Sequence, residues 1–323
     1  MDLKYIITSR DYNNWPSWDL VYEWEDAIRQ YLEIDYIYNK RIRYNRFVRR
    51  LSFLSSMLIT NKNSLLFEMN SKRIGHGDNK NNIVPWIIDF FDRNQKDLHS
   101  FYEHYNNHCL VLISSKEAFE FLRSANCPLN INHLPLSIPD IYKIKSSSRF
   151  EKKYDLVMMG RQNPVLEGWA KEYSQKHPAF YYVYRILKDG KFNYFTSRGE
   201  HLGDINTRGG YISLMRQARV GLYSTPGIDG GETRTNGFNQ VTPRFLELIA
   251  CGCHVIARYT NNPDTDYFGL NKFCPNISSY KEFESRLDDV LDKDVDMHSY
   301  SEYLSRHYTS QRCEELKNIL YQI

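Results

Sequence analysis

Short apolar runs alternate with longer amphipathic stretches along this chain, and they do so twice. The runs Tyr5–Thr8 (YIIT), 65–68, 83–90 and 110–114 (LVLIS) have strand length and alternate with amphipathic stretches at 20–32, 94–105 and 115–123. Such alternation predicts a parallel sheet with helices on its faces, because parallel strands need crossover connections. A polar, Ser-rich and charged tract at 144–153 interrupts the pattern, as linkers do. Beyond it the pattern restarts with runs at 155–159 (DLVMM), 180–186, 218–223 and 253–257. The segment 300–323 reads as one helix that packs back on the first half. With 323 residues and roughly 150 per domain, two α/β domains are expected. These are residues 1–146 together with a C-terminal helix at about 306–323, and residues 147–305. Open α/β sheets bind ligands at the carboxyl ends of their strands, so a cleft between the two domains is the expected site.

Composition removes several function classes. The net charge of +3 and pI of about 8.4 are far from the strongly basic character of a dedicated nucleic-acid binder. The opening MDLKYIITSRDYNNWPSW has no apolar core of signal-peptide length, and no window reaches the roughly 18 apolar residues of a membrane span. A cytosolic protein is expected. Six cysteines, at 109, 127, 251, 253, 274 and 313, form no CxxC pair, so neither a zinc cage nor a disulfide framework is indicated and buried free thiols are expected. Residues 40–50 (KRIRYNRFVRR) carry six Lys or Arg and no acid, and Val48, Leu51, Leu54 and Leu58 follow at helical spacing. The segment 40–58 has two readings: a helix lying on an anionic membrane surface, or a solvated face whose apolar stripe packs into the first domain.

The stretch TPRFLELIACGCHVI at 242–256 combines opposite charges with an apolar run. Thr242 suits an N-cap, Pro243 the first helical position, and Gly252 the left-handed position past the end, which predicts a short helix over 243–251. Arg244 in the first turn opposes the helix dipole, at about 0.3–1 kcal/mol, unless an anion sits there. A phosphate would remove the conflict, since Arg can fork onto two phosphate oxygens. Glu247 shares that face and could accept both hydroxyl protons of a ribose. A plain intrahelical Arg244–Glu247 pair is the alternative. The preceding loop, STPGIDGGETRTNGFNQV at 224–241, holds four glycines, which permit close backbone approach to a ligand. Gly160 and Arg161, directly after DLVMM and before a helix from near Pro164, offer a second anion contact. Arg161 and Arg244 together could clamp a diphosphate.

In this order, strand then Gly160-Arg161 then helix, VGLYSTPG, TPRFLELIACGCHVI, PDTDYFG and SSYKEFESRLDDVL, the chain resembles the C-terminal half of GT-B glycosyltransferases. It is similar to the "glycosyl transferases group 1" proteins, spore-maturation-type glycosyltransferases among them, over about residues 131–295. The resemblance implies two Rossmann-like domains facing a central cleft, with a UDP- or GDP-sugar held in the second. It implies that Glu247 holds the nucleoside ribose and that Arg161, with Arg244, Gly160 and Thr242, meets the donor diphosphate. No metal and no cofactor are implied, because arginines stabilise the leaving group. Many retaining members carry a Glu, seven residues, then a second Glu. Counting back from Glu247 gives Asn239, so sugar contact at that position and the stereochemical outcome stay open. The implied reaction moves a sugar onto a hydroxyl of a glycan or lipid-linked glycan in bacterial surface polysaccharide, lipopolysaccharide or glycoconjugate synthesis, at the cytoplasmic membrane face. A sugar-nucleotide epimerase and a non-catalytic nucleotide- or glycan-binding module are the rival readings.

The first half offers candidate bases. Asp11 lies in the loop 9–18 (SRDYNNWPSW), which follows the first strand, and His76 in RIGHGDNK has Asp78 two residues away. A surface histidine without a role is the alternative for His76. GHGDNK lacks the last glycine of a dinucleotide fingerprint, which excludes that ligand.

Overall fold

The computed structural model describes residues 1–11, 16–38, 63–71, 81–188 and 191–323. The chain forms two compact units, Met1–Asp140 with Tyr308–Ile323, and Ile141–His307. His76 and the basic segment 40–58 lie outside the described residues.

Unit 1 holds a six-stranded sheet in the order β2-β1-β3-β4-β5-β6, with all neighbours parallel. Its strands are β1 (Tyr5–Thr8), β2 (Asp35–Tyr38), β3 (Ser64–Asn70), β4 (Ile83–Asp89), β5 (Val111–Ile113) and β6 (Ile131–His133). Helices α1 (Pro16–Leu32), α2 (Gln95–Tyr105) and α3 (Lys116–Ser124) follow β1, β4 and β5. Trp18, Val21, Trp24 and Ile28 form the buried face of α1, the spacing of an amphipathic helix. Phe67 stacks on Trp86 at 4.9 Å between ring centroids. The polar ends of two buried indoles are satisfied, Trp24 Nε1 donating to Ser137 O at 3.1 Å and Trp86 Nε1 to Leu134 O at 3.0 Å. Strands β2 and β6 carry no fully buried residue, so no apolar run marks them in the sequence.

At the end of β1, the buried Glu25 accepts from Thr8 Oγ1 at 2.6 Å and Arg10 Nε at 3.2 Å. Burial outweighs both donors and pushes the Glu25 carboxyl up to about 7, from 4.5. Between those values the folded chain keeps a proton that the unfolded chain has released. The group's contribution is therefore full below about pH 4.5 and lost as pH rises through about 7. In Glu25→Gln that fall should disappear when urea midpoints are compared at about pH 5 and about pH 8. An unaltered fall would assign it to other groups.

Unit 2 has the order β10-β9-β8-β7-β11-β12. Strands β7 (Tyr154–Val157), β8 (Tyr182–Lys188), β11 (Ala218–Ser224) and β12 (His254–Arg258) are parallel. An antiparallel ribbon of β9 (Lys191–Thr196) and β10 (His201–Asp204) extends the β8 edge. The helices are α4 (Pro164–Lys176), α5 (Arg208–Arg216), α6 (Arg244–Ala250), α7 (Pro263–Tyr267), α8 (Tyr280–Leu291) and α9 (Met297–Ser305). The polar tract 144–153 belongs to this unit, with Ile144 buried and Lys152 Nζ donating to Cys251 O at 3.0 Å.

The segment 300–323 is not one helix. It breaks at Arg306–Tyr308 between α9 and α10 (Thr309–Tyr321). The Thr309 amide donates to Ile138 O at 3.0 Å and its hydroxyl lies 3.0 Å from Ser137 Oγ. An amide taken by another segment cannot continue the helix ladder. In unit 2, α9 buries Met297, Tyr300 and Leu304. In unit 1, α10 packs against α1 and gives Cys313, Leu316 and Leu320 to the core. Among the described residues no helix is long and apolar enough to cross a membrane.

Candidate functional site

The carboxyl edge of the unit 2 sheet is built around one glycine. After β7 the chain runs through the buried Met158 and Met159 to Gly160, whose φ is +61°. A Cβ there would stand 2.7 Å from Arg244 Nη2 and 3.1 Å from Arg244 Cζ. Glycine is required twice, for the left-handed backbone and for the guanidinium lying against it.

Three arginines converge on this turn. Arg244 Nη1 donates to Arg161 O at 2.5 Å, and Arg185 Nε donates to Gly160 O. Arg185 reaches the turn because β8 pairs with β7 only through Tyr182 and Val183, then continues past the end of β7. The alternation of the strand puts Arg185 on the face of Val183. Arg161 ion-pairs with Glu232, which also takes Arg234 Nε at 3.3 Å. Burial, with the charges of Arg244 and Arg161 acting the same way, pushes the Arg185 guanidinium down from its ordinary value. Arg244 Nε is buried and has no acceptor among the described residues. Clustered cations with an unused donor are the chemistry of an anion site.

The glycine-rich loop between β11 and α6 is tightly held. Asp229, at φ +53°, accepts two bonds from Arg258 at 2.6 and 2.7 Å and one from Asn163 Nδ2 at 2.8 Å. The Arg258 bonds, first among the causes, hold its carboxyl below the usual range. Asn163 also caps α4, accepting from the amides of Val165 and Leu166, so one side chain ties the loop to the start of that helix. Gly227 leaves no room for a side chain, since a Cβ would lie 2.5 Å from Phe238 O. Asn239 is buried in the same network, accepting from Thr225 Oγ1 at 2.9 Å and donating to Gly237 O. It holds the loop in shape.

Helix α6 is shorter than expected, and Thr242 is not its side-chain cap. Pro243 is the first flanking residue, already helical at φ −55°, and no side chain caps the helix. The Thr242 amide instead donates to Tyr223 OH at 3.0 Å. With only seven residues α6 has a weak dipole, and the positive charge at its start is the Arg244 guanidinium. The other end is as expected. Gly252, at φ +61°, donates to Ile249 O and Cys253 to Leu248 O, the paired bonds of a left-handed helix stop.

Arg244 and Glu247 are not paired with each other among the described residues. Glu247 is buried and pairs with Arg208 Nη2 at 2.5 Å. Arg208 opens α5, and its guanidinium lies 5.3 Å from the Tyr211 ring and 5.9 Å from the Tyr142 ring. The intrahelical alternative thus gives way to two separate partners, the Gly160–Arg161 turn for Arg244 and α5 for Glu247.

The structure therefore brings Gly160, Arg161 and Arg244 together and adds Arg185, Arg208 and Glu232, which sequence reasoning missed. A lone Arg in the aromatic and aliphatic strand YVYRILK was the available signal for Arg185. Asp11 is an exposed residue of the turn after β1 in unit 1. Next to it, Arg10 Nη2 contacts Asp26 Oδ1 at 2.8 Å. All six cysteines are free, four buried and two half-buried. Among the described residues no group of three His, Cys, Asp or Glu side chains could hold a metal ion.

No family model and no curated protein sequence matches the chain. Solved structures do. The pneumococcal O-GlcNAc transferase GtfA, solved with UDP and GlcNAc, matches with a TM-score of 0.51 at 13% identity, over 85% of this chain and 59% of its own. A GtfA/B complex matches at 0.51 and 11%, over 88% of this chain and 62% of its own. WaaG, a glycosyltransferase involved in lipopolysaccharide biosynthesis, gives 0.48 at 11% identity over 98% of this chain. The chain spans about three-fifths of the length of the first two. It shares with these two the fold of GT-B glycosyltransferases, two parallel-sheet α/β units.

Proposed function

We propose that the protein is a glycosyltransferase whose unit 2 holds a nucleoside-diphosphate sugar, with the diphosphate on Arg161, Arg185 and Arg244. One observation carries this reading: three guanidiniums meet at the Gly160 turn, and Arg244 Nε is buried with no acceptor among the described residues. A leaving diphosphate gains charge as the glycosidic bond breaks. Fixed cations at that point stabilise the transition state more than the ground state, and they do so without a metal. Glu247, held by Arg208, takes the ribose hydroxyls. The GtfA structure contains UDP and GlcNAc, which supports a nucleotide-sugar donor. The motif likeness to spore-maturation-type glycosyltransferases supports a glycan or lipid-linked glycan acceptor in surface polysaccharide synthesis.

Incubation with UDP-, GDP- and CMP-sugars tests the reading. Release of nucleotide, by hydrolysis or by transfer to an added glycan, is the expected result. An isomerised sugar nucleotide with no nucleotide released would make the protein an epimerase instead.

The basic segment 40–58 places the enzyme at an anionic membrane surface in this reading. Replacing the arginines of 40–50 with glutamine should abolish co-flotation with phosphatidylglycerol vesicles, and unchanged flotation would remove the membrane role.

A further inference from the structure

The amino edge of the unit 2 sheet carries a second concentration of positive charge. A cavity of about 110 Å³ opens there, between the segment preceding β7, the start of β11, the turn into β12 and the segment between α8 and α9. Arg149, Lys152, Arg219 and Lys293 line it, against one carboxylate, the exposed Asp294.

Three of the four cations already have partners, and Arg149 Nη1 donates to the nearby Ser146 and Ser148 carbonyls at 3.0 and 2.7 Å. Lys152 Nζ donates to Cys251 O at the C-terminal end of α6, a favourable place for a cation. Lys293 ion-pairs with Asp289. The half-buried Arg219 has neither a carboxylate nor a hydrogen-bond acceptor for its side chain among the described residues. Burial lowers the basicity of Lys152, and the charge of Arg219 acts in the same direction. Two partly buried cations with no carboxylate between them repel unless an anion joins them. Phe150 supplies an apolar wall. Its ring packs against Gly252, where a Cβ would lie 3.1 Å from Phe150 Cδ2.

We propose that this cavity is a second anion site, which takes a phosphate or phosphomonoester group on Arg219, Lys152 and Arg149. Its volume is far below the roughly 300–1,000 Å³ that encloses a whole nucleotide. Only the phosphate enters, and the rest of the ligand stays outside. The site is separate from the donor site: from Arg219 to Ser224, β11 runs about 17 Å at roughly 3.3 Å per residue. A diphosphate at Gly160 therefore does not reach it. The ligand is a phosphorylated molecule other than the donor, either a soluble phosphomonoester or the headgroup of a phosphatidic-acid-like lipid.

Calorimetric titration of inorganic phosphate into the full chain with saturating UDP present tests the site, with Arg219→Gln and Arg149→Gln compared with the parent. Loss of one charge-assisted contact should weaken phosphate binding by roughly 10-fold or more in the two variants. Saturating UDP occupies the Gly160 turn during the titration, so the phosphate isotherm reads the second site. Unchanged phosphate affinity in both Arg149→Gln and Arg219→Gln would overturn the proposal. Arg149 is exposed, so its variant decides the matter even if Arg219→Gln does not fold. Two further arms separate the sources. Competition by glucose 1-phosphate that is lost in Arg149→Gln identifies a soluble ligand. Flotation with phosphatidic acid vesicles that is lost in the same variant identifies a lipid.

Discussion

Replacing Arg244 with alanine is expected to weaken UDP or GDP binding by roughly 100-fold and to leave the fold intact. Each charge-assisted bond to a phosphate oxygen is worth about 1.5–3 kcal/mol, and a guanidinium can make two. Exposure to solvent keeps the sum near the lower end, about 3 kcal/mol, which is about 100-fold in affinity. The fold should not suffer, because among the described residues the side chain of Arg244 hydrogen-bonds only to Arg161 O, in a turn also held by Arg185. Arg244→Lys keeps the charge but loses the fork, so it should recover part of the affinity. Calorimetry decides: an affinity for UDP and GDP within about twofold of the parent removes Arg244 from the donor site.

Glu247→Ala should have a large effect of a different kind. It leaves the Arg208 guanidinium without its buried counter-charge, which costs about 3–5 kcal/mol of stability. Urea unfolding reads that loss directly. Stability alone does not test the ribose role, so a paired variant is needed. Glu247→Leu with Arg208→Met removes both charges and should recover most of the stability. If Glu247 also holds the ribose, the double variant stays weak for nucleotide while folding well. Parent-like nucleotide affinity in it would reduce Glu247 to a structural partner of α5.

The sequence exposed unit 2 best where one local pattern served both folding and charge. In TPRFLELIACGCHVI the apolar residues, the short helix and the Gly252 stop are consequences of local backbone and burial rules, and all are found in α6. Gly160-Arg161 was visible for the same reason, as a left-handed residue directly after a buried strand. The edge strands β2, β6 and β10, and β9 beside β10, were not visible. They are short or polar and carry little of the core, so no run of buried residues announces them. The break between α9 and α10 was hidden too, since it depends on Ile138 O capturing the Thr309 amide 171 positions away.

The sequence by itself determined the two α/β patterns, the short charged helix and the glycine turn, because periodicity, capping and the need for positive φ act within a few residues. Only the tertiary structure decided which charges meet. Arg185 enters the turn by the overrun of β8 past β7, Glu247 finds Arg208 rather than Arg244, and Asn239 is drawn into the loop's own hydrogen bonds. Pairing of charges depends on distances across elements that sheet order and packing set, and no spacing along the chain encodes them.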